Sequence, residues 1–180
     1  MNALLAYVND SDFRVNHRMV SWRAPRWFRL WMITATRLGD GWLWPLTGLL
    51  LLAGGGRGLD VLGAAAAAAV VANGLLVMLK RRVRRPRPYE IEPNPHFAAG
   101  YRPHFSGDAF SFPSGHSLNA FAVGTVIAMG LPPLAPLALA VAASVAASRV
   151  FLGLHFLTDV VAGAALGVAL GASAFGLLLR

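Results

Sequence analysis

Cysteine is absent from the 180 residues. That excludes disulfides and any thiolate metal site, and it leaves the redox compartment open. Charge is also scarce. Only 13% of residues are Asp, Glu, Lys or Arg, against about 25% in a soluble domain. With 56% hydrophobic residues and a mean hydropathy of +0.55, much of the surface must face something other than water. The net charge of +8 could suit nucleic acid, but the cations fall in blocks beside apolar runs. That arrangement points to anionic lipid head groups instead. Residues 1–20 are interrupted by Asn9, Asp10, Asp12, Arg14 and Arg18 where a secretory leader needs an unbroken apolar stretch, so no such leader is expected there.

What is present is a series of long apolar runs. Leu59–Leu79 and Leu157–Leu179 are each long enough to cross a hydrocarbon core of about 30 Å as helices. Shorter runs cover Ser117–Leu131 and Leu137–Phe151, separated by "PPLAP". A first segment, Trp42–Ala53, is short and spans only with help from Trp27–Leu38 or from local thinning. The expected fold is therefore all-α. It is an integral membrane helical bundle of about five transmembrane helices, with the amphipathic N-terminal region as a candidate sixth element.

Residues 1–40 mix Arg with Trp and Phe, and Pro25 breaks them. Two readings of this region stay open: amphipathic helices lying at the membrane interface, and a helical cap packed on the bundle. The domain division is 1–40 for those helices and 41–180 for a transmembrane core, with a proline-rich polar loop over 80–112. Counting crossings places three polar stretches on one membrane face: "KRRVRRPRP" (80–88), "SFPSGHS" (111–117) and "SRVFLGLHFLTD" (148–159).

Each stretch read alone has an ordinary structural explanation. A basic run after a membrane helix anchors head groups, and Arg82 and Arg84 fit that role. "PSGHS" starts a helix, with Ser114 or Ser117 as cap and Gly115 allowing close backbone approach. A helix start is also an anion site, and His116 in its first turn is placed to give a proton to a leaving oxygen. Asp159, four residues after His155, is on the same face of one turn. A carboxylate accepting from one ring nitrogen leaves the other nucleophilic.

Together the stretches supply cations (Lys80, Arg87, Arg149), an anion-binding helix end, a proton donor and an oriented nucleophile. That set meets the needs of phosphoryl transfer. Glu90, Glu92 and Asp108 are scattered and Asp159 is engaged, so no Mg²⁺ cluster is expected. His96 and His104 lack a paired ligand motif. Metal-independent chemistry with no cofactor is the expectation.

Lys80-x6-Arg87-Pro88, then Pro113-Ser114-Gly115-His116, then Ser148-Arg149-x5-His155-x3-Asp159 resembles the three-part signature of the type 2 phosphatidic acid phosphatases. This family, also called lipid phosphate phosphatases, shares a superfamily with vanadium haloperoxidases. The resemblance covers Leu59 to about Leu179 and leaves residues 1–40 without a signature. It implies that His155 accepts the phosphoryl group, Asp159 orients it and His116 is the general acid. Lys80, Arg87, Ser114, Gly115 and Arg149 would hold the phosphate.

Substrates implied by the family are phosphatidylglycerol phosphate, phosphatidic acid, lipid A and polyprenyl phosphates or diphosphates, cleaved through a phosphohistidine. The rival from another class is a lipid-binding or lipid-translocating membrane protein using the same phosphate cradle. A haloperoxidase fits poorly with five spans on a short chain. The expected location is a bacterial cytoplasmic membrane, with membrane lipids as partners and no nucleic acid. All basic residues but Arg57 and Arg180 fall on the motif-bearing side or in the N-terminal region joining it. The positive-inside rule makes that side cytoplasmic, although outward-facing relatives point the other way.

Overall fold

The computed structural model describes residues 3–91 and 110–179, and side chains from residue 9 onward. Glu92, His96, Arg102, His104 and Asp108 lie outside the described residues. Within them the chain is all helical: α1 (Ala3–Ser21), α2 (Arg26–Arg37), α3 (Leu43–Ala53), α4 (Gly55–Val83), a single turn α5 (Pro88–Ile91), α6 (Gly115–Gly130), α7 (Ala135–Phe151) and α8 (Leu157–Leu178). Three stretches, Gly55–Ile91, Pro132–Phe151 and Leu157–Leu178, are long and apolar enough to cross a membrane. Exposed apolar side chains such as Leu49, Val70, Val161 and Leu177 cover the outside of the bundle, a surface suited to lipid. The protein is an integral membrane helical bundle.

α6 is the central helix, with Leu118, Ala122, Val123, Val126 and Ile127 buried. α8 lies directly on it through three glycines one turn apart. A Cβ at Gly163, Gly167 or Gly171 would sit 2.5, 2.4 or 2.4 Å from the carbonyl oxygens of Ser114, Leu118 and Ala122. Both series advance by four, so the two helices run parallel with backbones touching, a contact only small residues permit. α4 runs the other way. Val61 meets Gly130 at one end and Leu76 meets Gly115 at the other, and its alanines 64, 65, 68 and 72 are buried. One turn in from the Leu76–Gly115 contact, Asn73 and Asn119 exchange amide hydrogen bonds of 3.2 Å. Parallel α6 and α8 both start at the end where α4 stops, so the three polar stretches meet there, as expected from counting crossings.

Two boundaries differ from the sequence reading. The second apolar run was read from Leu59, but the helix already begins at Gly55. A Cβ on Gly58 would lie 2.0 Å from the Leu51 carbonyl oxygen, so the glycines serve the close turn of α3 onto α4. At its other end α4 passes the expected stop at Leu79 and leaves the helix at Arg84, which has left-handed backbone geometry (φ 49°). Lys80 thus stands on a helix rather than in a loop.

The N-terminal region packs on the bundle. α1 sets Phe13 edge-on against Phe156 at 5.1 Å, and α2 sets Phe28 against Phe151 at 4.9 Å. The 40/41 boundary falls at a kink between α2 and α3, where Gly41 has non-helical backbone geometry (φ 146°). Trp27, Leu30 and Trp31 stay exposed on α2.

Gly167→Ala should destabilise the bundle by about 1–3 kcal/mol, because the new methyl collides with backbone that cannot move alone. Gly74→Ala, whose Cβ would meet nothing within 4 Å, should leave stability level or slightly raised. Thermal unfolding in detergent compares the two. Equal behaviour would contradict the backbone contact.

Candidate active site

Asp159 organises the site. It sits at the third position of α8 with no exposed surface. Its Oδ2 accepts the Phe156 N–H at 2.8 Å, closing the helix start, and also the Ser111 hydroxyl. Its Oδ1 accepts from Arg85 Nη1 at 2.7 Å. Its backbone carbonyl accepts the Ser114 N–H at 3.0 Å, which ties the second motif to the third.

His155 lies in the turn before α8, 1% exposed. Its N–H and that of Leu154 both donate to the Arg149 carbonyl, at 3.1 and 2.9 Å. The sequence reading had Asp159 accepting directly from its ring, but Nδ1 and Asp159 Oδ2 are 3.7 Å apart, beyond hydrogen-bond reach. Ser111 Oγ stands 3.4 Å from Nδ1. Because the single hydroxyl proton goes to Asp159, Ser111 can only accept from the ring. That places a proton on Nδ1 and leaves Nε2 with a free lone pair.

His116 is in the first turn of α6, and its Nε2 is 2.7 Å from Asp40 Oδ1. Both side chains are about one-fifth exposed, 23% and 22%, whereas His155 is sealed. The Gly39 backbone closes over this ring, since a Cβ there would lie 2.9 Å from His116 Cδ2.

The cations converge as expected. Arg87 is 3% exposed, and its Nη1 donates to the Leu154 carbonyl at 3.4 Å. Arg149, 3% exposed on the last turn of α7, donates to Thr36 Oγ1 at 2.5 Å. Both guanidiniums act electrostatically on both imidazoles. Lys80 is buried and its Nζ donates to the Phe110 carbonyl at 3.0 Å, beside the second motif. Ser114 caps α6, accepting from the Ser117 N–H at 3.4 Å, and Gly115 packs on Leu76. Arg81, Arg82 and Arg84 are exposed.

Sequence reasoning missed Arg85, Ser111, Asp40, Thr36 and Asp12. Asp40 had a usable signal, since a carboxylate between two Trp-bearing apolar helices needs a partner. Ser111 had none beyond its place in the quoted stretch.

Burial pushes the His155 imidazole from 6.5 down to about 3, so the folded protein holds it neutral. The unfolded chain takes up that proton near its ordinary value. Stability from this group is therefore complete above about pH 6.5 and is lost as pH falls toward 3, by up to about 1.4 kcal/mol per pH unit. His155→Gln should remove this component, so its Tm should fall less than that of the natural protein between about pH 7 and pH 4. Identical falls would overturn the assignment of a sealed, neutral ring.

Known proteins resemble the chain in sequence and in fold. A decaprenylphosphoryl-5-phosphoribose phosphatase of Mycobacterium tuberculosis is 36% identical over 108 residues, 60% of this chain and 56% of the relative. Phosphatidylglycerophosphatase B of Bacillus subtilis is 45% identical over 73 residues, 34% of this chain and 36% of the relative. The chain thus spans about half the length, or less, of these two proteins. Among solved structures, a transmembrane PAP2 type phosphatidylglycerolphosphate phosphatase from Bacillus subtilis aligns over 95% of this chain and 86% of its own. The TM-score is 0.69, at 29% identity. LpxE of Aquifex aeolicus shares the fold with a TM-score of 0.73 at 23% identity, over 91% of this chain and 93% of its own. The profile of the PAP2 superfamily matches residues 58–179, the stretch holding all three motifs, and the chain belongs to that superfamily.

Proposed function

We propose that the protein is a membrane phosphatase that hydrolyses a lipid phosphate monoester or a polyprenyl diphosphate through a phosphohistidine. The observation that carries this reading is the pairing of two imidazoles beside the same two buried guanidiniums. His155 is backed by Ser111 and Asp159, and His116 by Asp40. An apolar cavity of about 270 Å³ between α3, α6 and α7 supports a lipid leaving group. It is lined by Leu43, Leu50, Ala120, Val123 and Ala142 among others, and Ala120 is one turn along α6 from His116.

In this mechanism Arg87, Arg149, Lys80, Ser114 and the Gly115 N–H hold the phosphate oxygens. His155 Nε2 attacks phosphorus, forming an N–P bond as the bond to the lipid oxygen breaks. His116 gives that oxygen a proton. Because its Nε2 faces Asp40, the proton transferred is carried on Nδ1. Water then attacks phosphorus and gives a proton to His116 as the N–P bond breaks, freeing phosphate and restoring His155. The charge in flight rests on guanidiniums, so the chemistry needs no metal. The relatives' names favour phosphatidylglycerol phosphate or a decaprenyl-linked sugar phosphate among substrates.

A panel of lipid phosphates, assayed with purified protein in detergent and EDTA, tests this reading. His155→Ala should abolish turnover and the acid-labile phosphoprotein. His116→Ala should slow alkyl phosphates by about 10²–10⁴-fold and aryl phosphates far less, because aryl oxygens leave without protonation. Equal losses would sink the acid role, and activity restored only by Mg²⁺ would sink the metal-free one. Binding of lipid phosphates without turnover would favour the carrier reading.

The motif-bearing end is proposed to face the cytoplasm, because basic residues outside the phosphate cradle still crowd that side. With no natural cysteine, Arg82→Cys supplies a single exposed thiol there. A membrane-impermeant maleimide should label it only after lysis. Labelling of intact cells would place the site outside and shift the substrate choice to polyprenyl diphosphates.

A further inference from the structure

The side of Asp159 turned away from His155 is closed by residues at positions the three motifs leave unspecified. Arg85 Nη1 donates to Asp159 Oδ1 at 2.7 Å and to Thr158 Oγ1 at 2.9 Å. Its Nη2 donates to Asp12 Oδ2 at 2.7 Å and to Asn9 Oδ1 at 3.0 Å. The guanidinium carbon lies 4.1 Å from the centre of the Phe156 ring. Asp12 in turn takes the Thr158 N–H at 3.1 Å on Oδ1 and the Thr158 hydroxyl on Oδ2. One guanidinium is thus clasped by two carboxylates 3% and 0% exposed, from α1 and from α8.

A carboxylate has two oxygens, and here they are divided. With Oδ1 claimed by Arg85, Oδ2 is left for Ser111 and the Phe156 N–H, facing His155 Nδ1. If Arg85 lets go, the carboxylate can turn about its last bond, and a buried charge loses its counterion. Ser111 then loses its fixed acceptor, and His155 loses the reason to keep its proton on Nδ1. A guanidinium on a long side chain needs fixing as well, and Asp12 does that from the opposite side.

We propose that Arg85 and Asp12 are positioning residues for His155, acting through Asp159 and Ser111, so that α1 is a working part of the active site. This rests on the phosphatase reading for its kinetic consequence but not for its structural one. The two are tested separately.

Three variants are compared, Arg85→Gln, Asp12→Asn and the double replacement, in purified protein with ¹⁵N-labelled histidine. Turnover of phosphatidylglycerol phosphate gives kcat and KM, and thermal unfolding sets a temperature at which all are folded. Arg85→Gln should lower kcat about 30-fold with KM within about twofold, and Asp12→Asn should lower kcat about fivefold. The double variant should be no worse than Arg85→Gln, because Asp12 acts through Arg85. Ring nitrogen shifts should report Nδ1–H at His155 in the natural protein and a mixture of tautomers in the variants. A purely structural anchor would lower the Tm and leave kcat and tautomer unchanged, and that result overturns the proposal. So does a fall in kcat with an unchanged tautomer. If Arg85→Gln does not fold, Asp12→Asn decides on the same readouts. If the natural protein hydrolyses no lipid phosphate, the phosphatase reading fails and the tautomer alone decides this proposal.

Discussion

A carboxylate without exposed surface, at the mouth of a membrane bundle, constrains everything around it. Charge in such a place is expensive unless each oxygen is satisfied. Asp159 meets the cost with Arg85 from the end of α4, Ser111 from the segment before α6 and the open N–H of its own helix start. These donors come from three separate stretches of chain. Satisfying one carboxylate therefore fixes how α4, α6 and α8 meet, and the geometry of the site follows from that.

The constraint is met only because the helices come close enough. Glycines 163, 167 and 171 bring the α8 backbone onto α6 in matched turns, which puts the Ser114 N–H within 3.0 Å of the Asp159 carbonyl. A larger residue at 163 would push directly on the Ser114 carbonyl, so helix packing and the start of α6 are one problem. The energetics differ from those of a soluble core. Lipid is as apolar as the helix surface, so close van der Waals contact and buried polar bonds must supply the specificity.

This also explains what the sequence disclosed. Apolar runs declare membrane helices by length alone, and the residues of phosphoryl-transfer chemistry stand out against an apolar background. Hence His116, His155, Asp159, Lys80, Arg87 and Arg149 were legible and do gather at one end. Arg85 was not, because six cations in nine residues look alike until the chain's direction is known. The left-handed turn at Arg84 sends Arg85 inward toward Asp159 while Arg81, Arg82 and Arg84 stay exposed. Ser111 was hidden for another reason. The spacing of His155 and Asp159 suggested a direct bond, and only the 3.7 Å gap reveals that a hydroxyl stands at its edge. Asp12, Thr36 and Asp40 reach the site by tertiary packing of α1 and α2, for which no spacing rule exists.

The two imidazoles have similar neighbours and opposite needs, and their carboxylates differ accordingly. Asp159 is shared with a guanidinium and stands 3.7 Å from His155 Nδ1, with the Ser111 hydroxyl bonded to it beside the ring. Burial keeps the His155 ring neutral. At His116, burial and the Arg149 guanidinium disfavour the imidazolium, while Asp40 in direct contact favours it. In the proposed reaction the balance tips when substrate arrives. A phosphate between Arg87 and Arg149 cancels the positive field that both exert on His116, leaving burial alone to oppose Asp40. His116 is thereby made easier to protonate when substrate binds, while the sealed His155 ring stays beside the Ser111 hydroxyl. Environments that push paired titratable groups apart are how acid and nucleophile coexist at one pH, and here the deeper burial of His155 and the direct contact of Asp40 with His116 supply the difference.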